Sequence, residues 1–129
     1  MSGWSKHHRI EYLLLAVASA DGEPAETALK AVFREMGEFT NLGLLPMGDE
    51  TFDSIWTAVW LQQHDDRRPG PKSLFECVTR HALALNREVP RADAMTILLA
   101  MVRIAKWKGE PSNWAMGQVA ICGEAFGLK

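Results

Sequence analysis

An apolar helical segment near the N-terminus ends in a Gly-Glu-Pro turn that interrupts the helix, and we call such a turn a break. The segment reads Leu13-Leu14-Leu15-Ala16-Val17-Ala18-Ser19-Ala20-Asp21-Gly22-Glu23-Pro24. Its spacing of apolar residues predicts a first helix over about residues 6–20. One face of that helix carries Ile10, Leu13, Leu14 and Val17. Glycine readily adopts the left-handed conformation that ends a helix, and proline suits the first turn of the next one. Gly22 and Pro24 therefore separate two helices.

The same arrangement recurs near the C-terminus. When residues 13–39 are aligned with residues 100–126, seven positions are identical, and a contiguous Gly-Glu-Pro falls at the same place in both copies. Each copy is an apolar helix, a break and a second apolar helix, which indicates a duplicated helical hairpin. We predict one domain over residues 1–129, with repeat halves at about 6–39 and 91–128. The halves should superpose by a pseudo-twofold operation.

Helical periodicity continues through the rest of the chain, and no run alternates convincingly at period two. Apolar residues of the third segment lie on a single helical stripe. They are Phe52, Ile55, Trp56, Val59 and Trp60. The sequence therefore predicts an all-α, single-domain bundle of about six helices with short connections.

Capping and breaker residues predict where the helices begin. Asp49 is expected to cap the third helix, and Ser73 with Glu76 has the spacing of a capping box at the start of the fourth. Pro90 is expected to open the fifth helix. Residues 37–48, rich in Gly, Asn and Pro, are predicted to form the one long irregular stretch.

Composition limits the function. The 129 residues are 47% hydrophobic and 23% charged with a net charge of −2, which is typical of a single globular domain. Acids and bases are scattered, so no basic stripe is available for nucleic acid. Cys77 and Cys122 lie in apolar helical patterns and are expected to be packed, free thiols in a reducing compartment. No secretory signal or membrane-spanning stretch is recognised, so a cytoplasmic location is expected.

The two break regions carry a family resemblance. Residues 13–24, together with residues 98–111 and the ending 124–128, resemble the TerB-like family, the tellurite-resistance type of all-helical domain. That family is marked by two helical hairpins whose first helices end in an Ala-Asp-Gly-Glu type of turn. The resemblance covers nearly the whole chain. It implies a non-catalytic binding or adaptor module with a protein partner, in a bacterial stress-response setting, and leaves the oligomeric state open.

The resemblance also implies acidic residues at both turns, forming a divalent-cation site or a charged interaction surface. The first turn retains Asp21, Glu23 and Glu26 as candidate ligands. At the second turn, Lys108 replaces the aspartate and Asn113 replaces the second acid. Three acids fall short of the six to eight oxygens that Ca²⁺ takes, and carboxylates also cap helix N-termini. We therefore expect no cofactor, and at most weak divalent-cation binding.

Two tryptophans distinguish the second break from the first. Trp107 and Trp114 stand where the first copy has Ala20 and Thr27, so the architecture itself does not require bulk there. With Lys108 they predict a partner-binding surface for an acidic or amphipathic protein. The alternative is that both rings pack against the irregular stretch between the second and third helices.

No catalytic motif is recognised in the sequence. It lacks a glycine-rich phosphate loop, a serine elbow and the paired ligand spacings of a zinc site. We therefore predict no catalytic residues. The remaining alternative is an enzyme whose site is assembled from distant residues, with His81 and Glu76 as candidates.

Overall fold

The computed structural model describes residues 4–22, 24–46, 48–107 and 109–128. Six α-helices account for most of these residues: α1 Lys6–Ala18, α2 Glu26–Asn41, α3 Asp49–Arg67, α4 Pro71–Glu88, α5 Arg91–Ala105 and α6 Asn113–Ala125. No strand occurs in the described ranges. The prediction of an all-α bundle of six helices is confirmed.

Helix α1 lies at the centre of the bundle and packs against all five other helices. Residues 10–17 are buried without interruption. The sequence predicted a single buried face, and for α1 that prediction is wrong. A helix with neighbours on every side has no solvent-facing stripe, so its polar residues are buried together with its apolar ones.

Helix α2 is longer than predicted. It continues to Asn41, so the described part of the irregular stretch begins only at residue 42. Phe39 is fully buried and anchors the added turn to the core. The Thr40 hydroxyl donates a hydrogen bond to the Met36 carbonyl at 3.0 Å, which bonds the side chain to the preceding turn.

Helix α4 begins two residues before the expected capping box. Gly70 precedes the helix with φ +133°, and Pro71 occupies its first position. Proline has no N–H to satisfy and is favoured there, so the helix starts without help from Ser73 and Glu76. Those two residues lie inside α4, and the predicted box is wrong.

The described parts of the two Gly-Glu-Pro breaks have matching backbone geometry at their glycines. α1 ends at Ala18 and α5 ends at Ala105, 87 residues later; α2 and α6 begin with the same 87-residue offset. Gly22 and Gly109 have φ values of +123° and +104°. The Gly22 amide donates to the Ser19 carbonyl and the Gly109 amide donates to the Lys106 carbonyl, both at 3.0 Å. Both breaks thus separate helices in the same way.

A bidentate ion pair joins α2 to α5. The Arg103 Nε and Nη2 atoms donate to the two carboxylate oxygens of Glu35 at 2.9 and 2.8 Å. Glu35 is buried, and this interaction is the first cause of a raised pKa of Arg103. The fork geometry of arginine matches a carboxylate, so the pair fixes the position of α2 beside α5.

Glu11 is fully buried on α1, and its carboxyl oxygens have no hydrogen-bond partner among the described residues. Desolvation raises the pKa of this carboxyl from 4.5 to about 8. Burial penalises the charged form because the protein interior solvates charge poorly. The acid is therefore neutral at pH 7 in the folded chain, although it ionises in the unfolded chain.

The matched breaks lead to a first prediction. Alanine at Gly22 or at Gly109 should destabilise the fold by about 1–3 kcal/mol in each case, because both backbones lie in a region that L residues rarely adopt. Gly37 lies inside α2, and a methyl group added there would meet nothing within 4 Å. Gly37→Ala should therefore stabilise the fold by about 0.5–1 kcal/mol. Urea unfolding measures all three variants. If only one break tolerates alanine, the two breaks are not equivalent.

Glu11 leads to a second prediction. Between pH 4.5 and about 8 the folded chain holds a proton that the unfolded chain has released. Stability should therefore fall as the pH rises through this window, by up to about 1.4 kcal/mol per unit, and level off above it. Glu11→Gln should remove this fall of stability with pH, whereas Glu76→Gln, a change at an exposed residue, should not. Chemical unfolding at pH 5, 7 and 9 measures the effect, and parallel pH profiles for Glu11→Gln and the unmodified chain would contradict it.

Candidate functional site

A cleft of about 270 Å³ opens between the two breaks. The C-terminal ends of α1 and α5 and the N-terminal ends of α2 and α6 form its walls. Much of the lining consists of alanines in pairs related by the repeat offset: Ala18 with Ala105, and Ala28 with Ala115. These small side chains leave space between four helix ends, so the two copies of the hairpin share one concave surface.

Polar groups from both breaks line the cleft. Asp21 comes from the first break, and Glu110 and Ser112 come from the second. The Ser112 side chain accepts a hydrogen bond from the Ala115 amide at 3.0 Å and caps α6. Glu110 lies three residues before the first residue of α6, and Asp21 lies in the connection between α1 and α2. The cleft therefore has apolar walls and an acidic rim.

Trp107 stands beside this cleft with 42% of its surface exposed. The guanidinium carbon of Arg34 lies 5.8 Å from the centroid of its ring, within the range of a cation–π interaction. Arg34 belongs to α2, so one contact of the ring is with the first hairpin. A large aromatic side chain at this position therefore forms a wall of the cleft and remains accessible.

Trp114 is 41% exposed and faces a different neighbour. Its ring contacts Phe75 of α4, with the centroids 5.3 Å apart. Within the described part of the chain, no ring contact joins Trp114 to Trp107. The two tryptophans thus have different neighbours, and only Trp107 is among the residues lining the cleft. Lys108, the third predicted partner-binding residue, lies outside the described residues.

Two of the three predicted metal ligands are described, and both lie on an exposed surface. Asp21 is exposed and lines the cleft, and Glu26 is exposed in the first turn of α2. Glu23 lies outside the described residues. Among those that are described, no three His, Cys, Asp or Glu side chains come together as a ligand set. The divalent-cation site stays a prediction.

The candidate pair His81 and Glu76 does not face a common space. Glu76 is exposed on α4, whereas His81 is buried against the rings of Trp4 and Tyr12, with centroids at 5.1 and 4.3 Å. Desolvation lowers the pKa of His81 to about 4, so the imidazole is neutral at pH 7. The neighbours of His81 in the fold come from α1 and the N-terminus.

A polar cluster that the sequence analysis missed lies where α1, α3 and α4 meet. The Tyr12 hydroxyl donates to Asp66 Oδ2 at 2.7 Å, and Gln62 donates to Asp66 Oδ1 at 2.9 Å. On α4, Arg80 Nη2 lies 3.1 Å from Cys77 Sγ. Three helices contribute to this cluster. The sequence alone indicates only that Cys77 and His81, four residues apart, lie on the same face of a helix.

No helix among the described residues is both long and apolar enough to cross a membrane. Comparison with known proteins adds no identity: the chain matches no family model, no curated protein and no solved structure. The resemblance to the TerB-like family stays a prediction based on the two break motifs.

Proposed function

We propose that this chain is a non-catalytic binding module that captures a protein partner at the cleft between its two breaks. The observation that carries the proposal is Trp107, a large aromatic residue left 42% exposed at the edge of the cleft. Exposed aromatic surface beside a concave site is typical of binding hot spots. The resemblance to the TerB-like family supports an adaptor role in a bacterial stress response.

The shape of the cleft suits one inserted side chain of the partner. Its volume of about 270 Å³ opens between alanine-lined helix ends, and Trp107 forms one wall. Burying an apolar side chain there would remove its surface and that of Trp107 from water together, at about 25 cal/mol per Å². An apolar anchor on a helical partner segment is the simplest occupant.

The charges around the cleft favour an amphipathic partner. Arg34 lies over the Trp107 ring, and Lys106 ends α5 as an exposed cation. Asp21 and Glu110 line the cleft and supply negative charge. A segment with an apolar face and acidic flanks would place its acids toward Arg34 and Lys106. This complementarity would orient the partner more than it would strengthen binding.

The second candidate function is divalent-cation binding. One observation favours it: Asp21 and Glu110, which come from different breaks, line the same cleft. Two carboxylates leave most of a Ca²⁺ coordination shell to water, so binding would be weak. This candidate uses the same surface as the partner.

The third prediction concerns the two tryptophans. Peptides selected from a random display library on the immobilised chain should bind Trp107→Ala and Trp114→Ala more weakly, by more than about 1 kcal/mol each, because exposed aromatic anchors dominate such interfaces. Leu61→Ala is the control: Leu61 is exposed on α3, which does not contact α5 or α6. Affinities are measured by fluorescence anisotropy.

The same variants show whether the tryptophans are core residues. If they are, the free energy of unfolding should fall by roughly 3–5 kcal/mol in each variant, as it does when a buried tryptophan is truncated. Such a loss, or peptide binding that only Leu61→Ala weakens, would contradict the proposed surface.

The fourth prediction concerns the cation. Calorimetric titration with Ca²⁺ or Mg²⁺ should show weak or absent binding, because Lys108 adds positive charge where the family pattern has an acid. Lys108→Asp should improve binding, and Lys72→Asp, an exposed change at the start of α4, should not. Tight binding by the unmodified chain that is lost in Asp21→Ala would contradict this and favour the metal-binding function.

A further inference from the structure

An apolar groove lies between α2 and α3, and we call it the aromatic groove. The backbones of the two helices stay apart: in the described part of the chain, no Cα atom of α2 lies within 8 Å of one of α3. The groove has a volume of about 230 Å³, and none of the described residues that line it is charged. They are Leu29, Phe33, Trp56, Thr57, Trp60 and Leu61. Side chains thus line the space between the helices without filling it.

Aromatic rings bridge the two helices and leave part of their surface exposed. Phe33 of α2 contacts Trp56 of α3 with the ring centroids 4.8 Å apart, and Trp56 contacts Trp60 at 5.8 Å. Phe33 is 43% exposed and Leu61 is 61% exposed. Single exposed leucines are ordinary on a protein surface, whereas a contiguous apolar patch marks a site of interaction.

The size of this patch is enough for a small interface. For aromatic side chains of roughly 150–250 Å², the exposed fractions correspond to about 300 Å² of apolar surface in the groove. Interfaces are roughly 60% apolar, so a polar rim would bring the buried area to about 500 Å² per partner. Two copies would then bury about 1,000 Å² in total, which is near the lower bound for a specific interface.

The two rims of the aromatic groove carry opposite charges. Lys30 is exposed on α2, three residues before Phe33, and therefore lies on the same side of that helix. Asp53 is exposed on α3, four residues before Thr57, and lies on the same side of α3. Neither forms an ion pair with another described residue. A surface with one basic and one acidic rim is complementary to a rotated copy of itself.

We propose that the aromatic groove is the interface of a homodimer in which α2 of each copy lies on α3 of the other. A twofold axis requires that one surface serve both copies, and this groove is complementary to itself in shape and charge. The dimer buries Phe33 and Leu61 of both copies. Each Lys30 faces the partner's Asp53, so the ion pair forms twice. Because the area is small, we expect a dissociation constant in the micromolar range.

This interface is separate from the cleft that is proposed to capture a protein partner. The aromatic groove and the cleft share no lining residue. Leu61→Ala should therefore weaken the dimer and leave peptide capture unchanged, whereas Trp107→Ala should do the reverse. Failure of one proposal is thus distinguishable from failure of the other.

Sedimentation velocity of the intact chain tests the dimer, at concentrations from about 1 to about 200 µM, which bracket micromolar affinity. The sedimentation coefficient should rise with concentration to the value of a dimer. Leu61→Asp should raise the dissociation constant by about tenfold or more, because it buries a charge in an apolar interface. Leu83→Asp is the matched control and should have no effect, since Leu83 is 45% exposed on α4, which does not contact α2.

Exchange of the two charges tests the twofold arrangement. Lys30→Asp and Asp53→Lys should each raise the dissociation constant by about threefold or more, because each places like charges opposite one another twice. The double variant should return it to within about twofold of the unmodified chain, since the two changes are coupled across the interface. Lys72→Asp changes the net charge as much as Lys30→Asp does, at an exposed position on α4, and should have no effect.

Three results would overturn the proposal: a monomer at every concentration, a dimer that Leu61→Asp leaves intact, or a double variant no tighter than the single ones. Circular dichroism verifies that each variant is folded. If the chain stays monomeric but binds the dye anilinonaphthalene sulfonate, and Leu61→Asp abolishes that binding, the groove belongs to a small apolar ligand and not to a second copy.

Discussion

Helix α1 has no exposed face between residues 10 and 17, because the other five helices surround it. Polar side chains on such a helix must find partners or lose their charge. Tyr12 follows the first route, through Asp66, and Glu11 follows the second, as a neutral acid. Gln63, on the same helix α3 as Asp66, donates to the Tyr12 carbonyl at 2.9 Å and joins α3 to this turn of α1 by a second hydrogen bond. The chemistry of the interior thus follows from the position of this helix.

The cleft also depends on where α1 ends. The helix ends at Ala18, the chain reaches the surface at Asp21, and α2 then packs back against α1. α5 and α6 repeat this turn, and the ends of all four helices meet around one space. Two pairs of alanines line this space, Ala18 with Ala105 and Ala28 with Ala115. Because their side chains are small, the four helix ends do not fill it. Trp107 is a large residue at a position where the first copy has a small one, which makes it the natural anchor of the proposed binding surface.

The sequence predicted the fold well where local rules decide it. Six helices and both breaks follow from periodicity, glycine and proline, which act within a few residues. The complete burial of α1 and the added turn of α2 depend on neighbours distant in sequence, and periodicity does not report them. The same limit applies to function. The two tryptophans were identified by comparing the copies, whereas the Cys77 cluster draws on three helices and left almost no local signal.

The surface and the interior of the bundle differ in the state of their ionisable groups. At the cleft, Asp21 and Glu110 are exposed, so their charges are solvated and available to orient a partner. In the interior, burial keeps His81 neutral and Tyr12 protonated, and it makes Glu11 a neutral acid. Burial disfavours the charged form of each group because the protein interior solvates charge poorly. The fold therefore places solvated charge where recognition is proposed and leaves these buried groups uncharged.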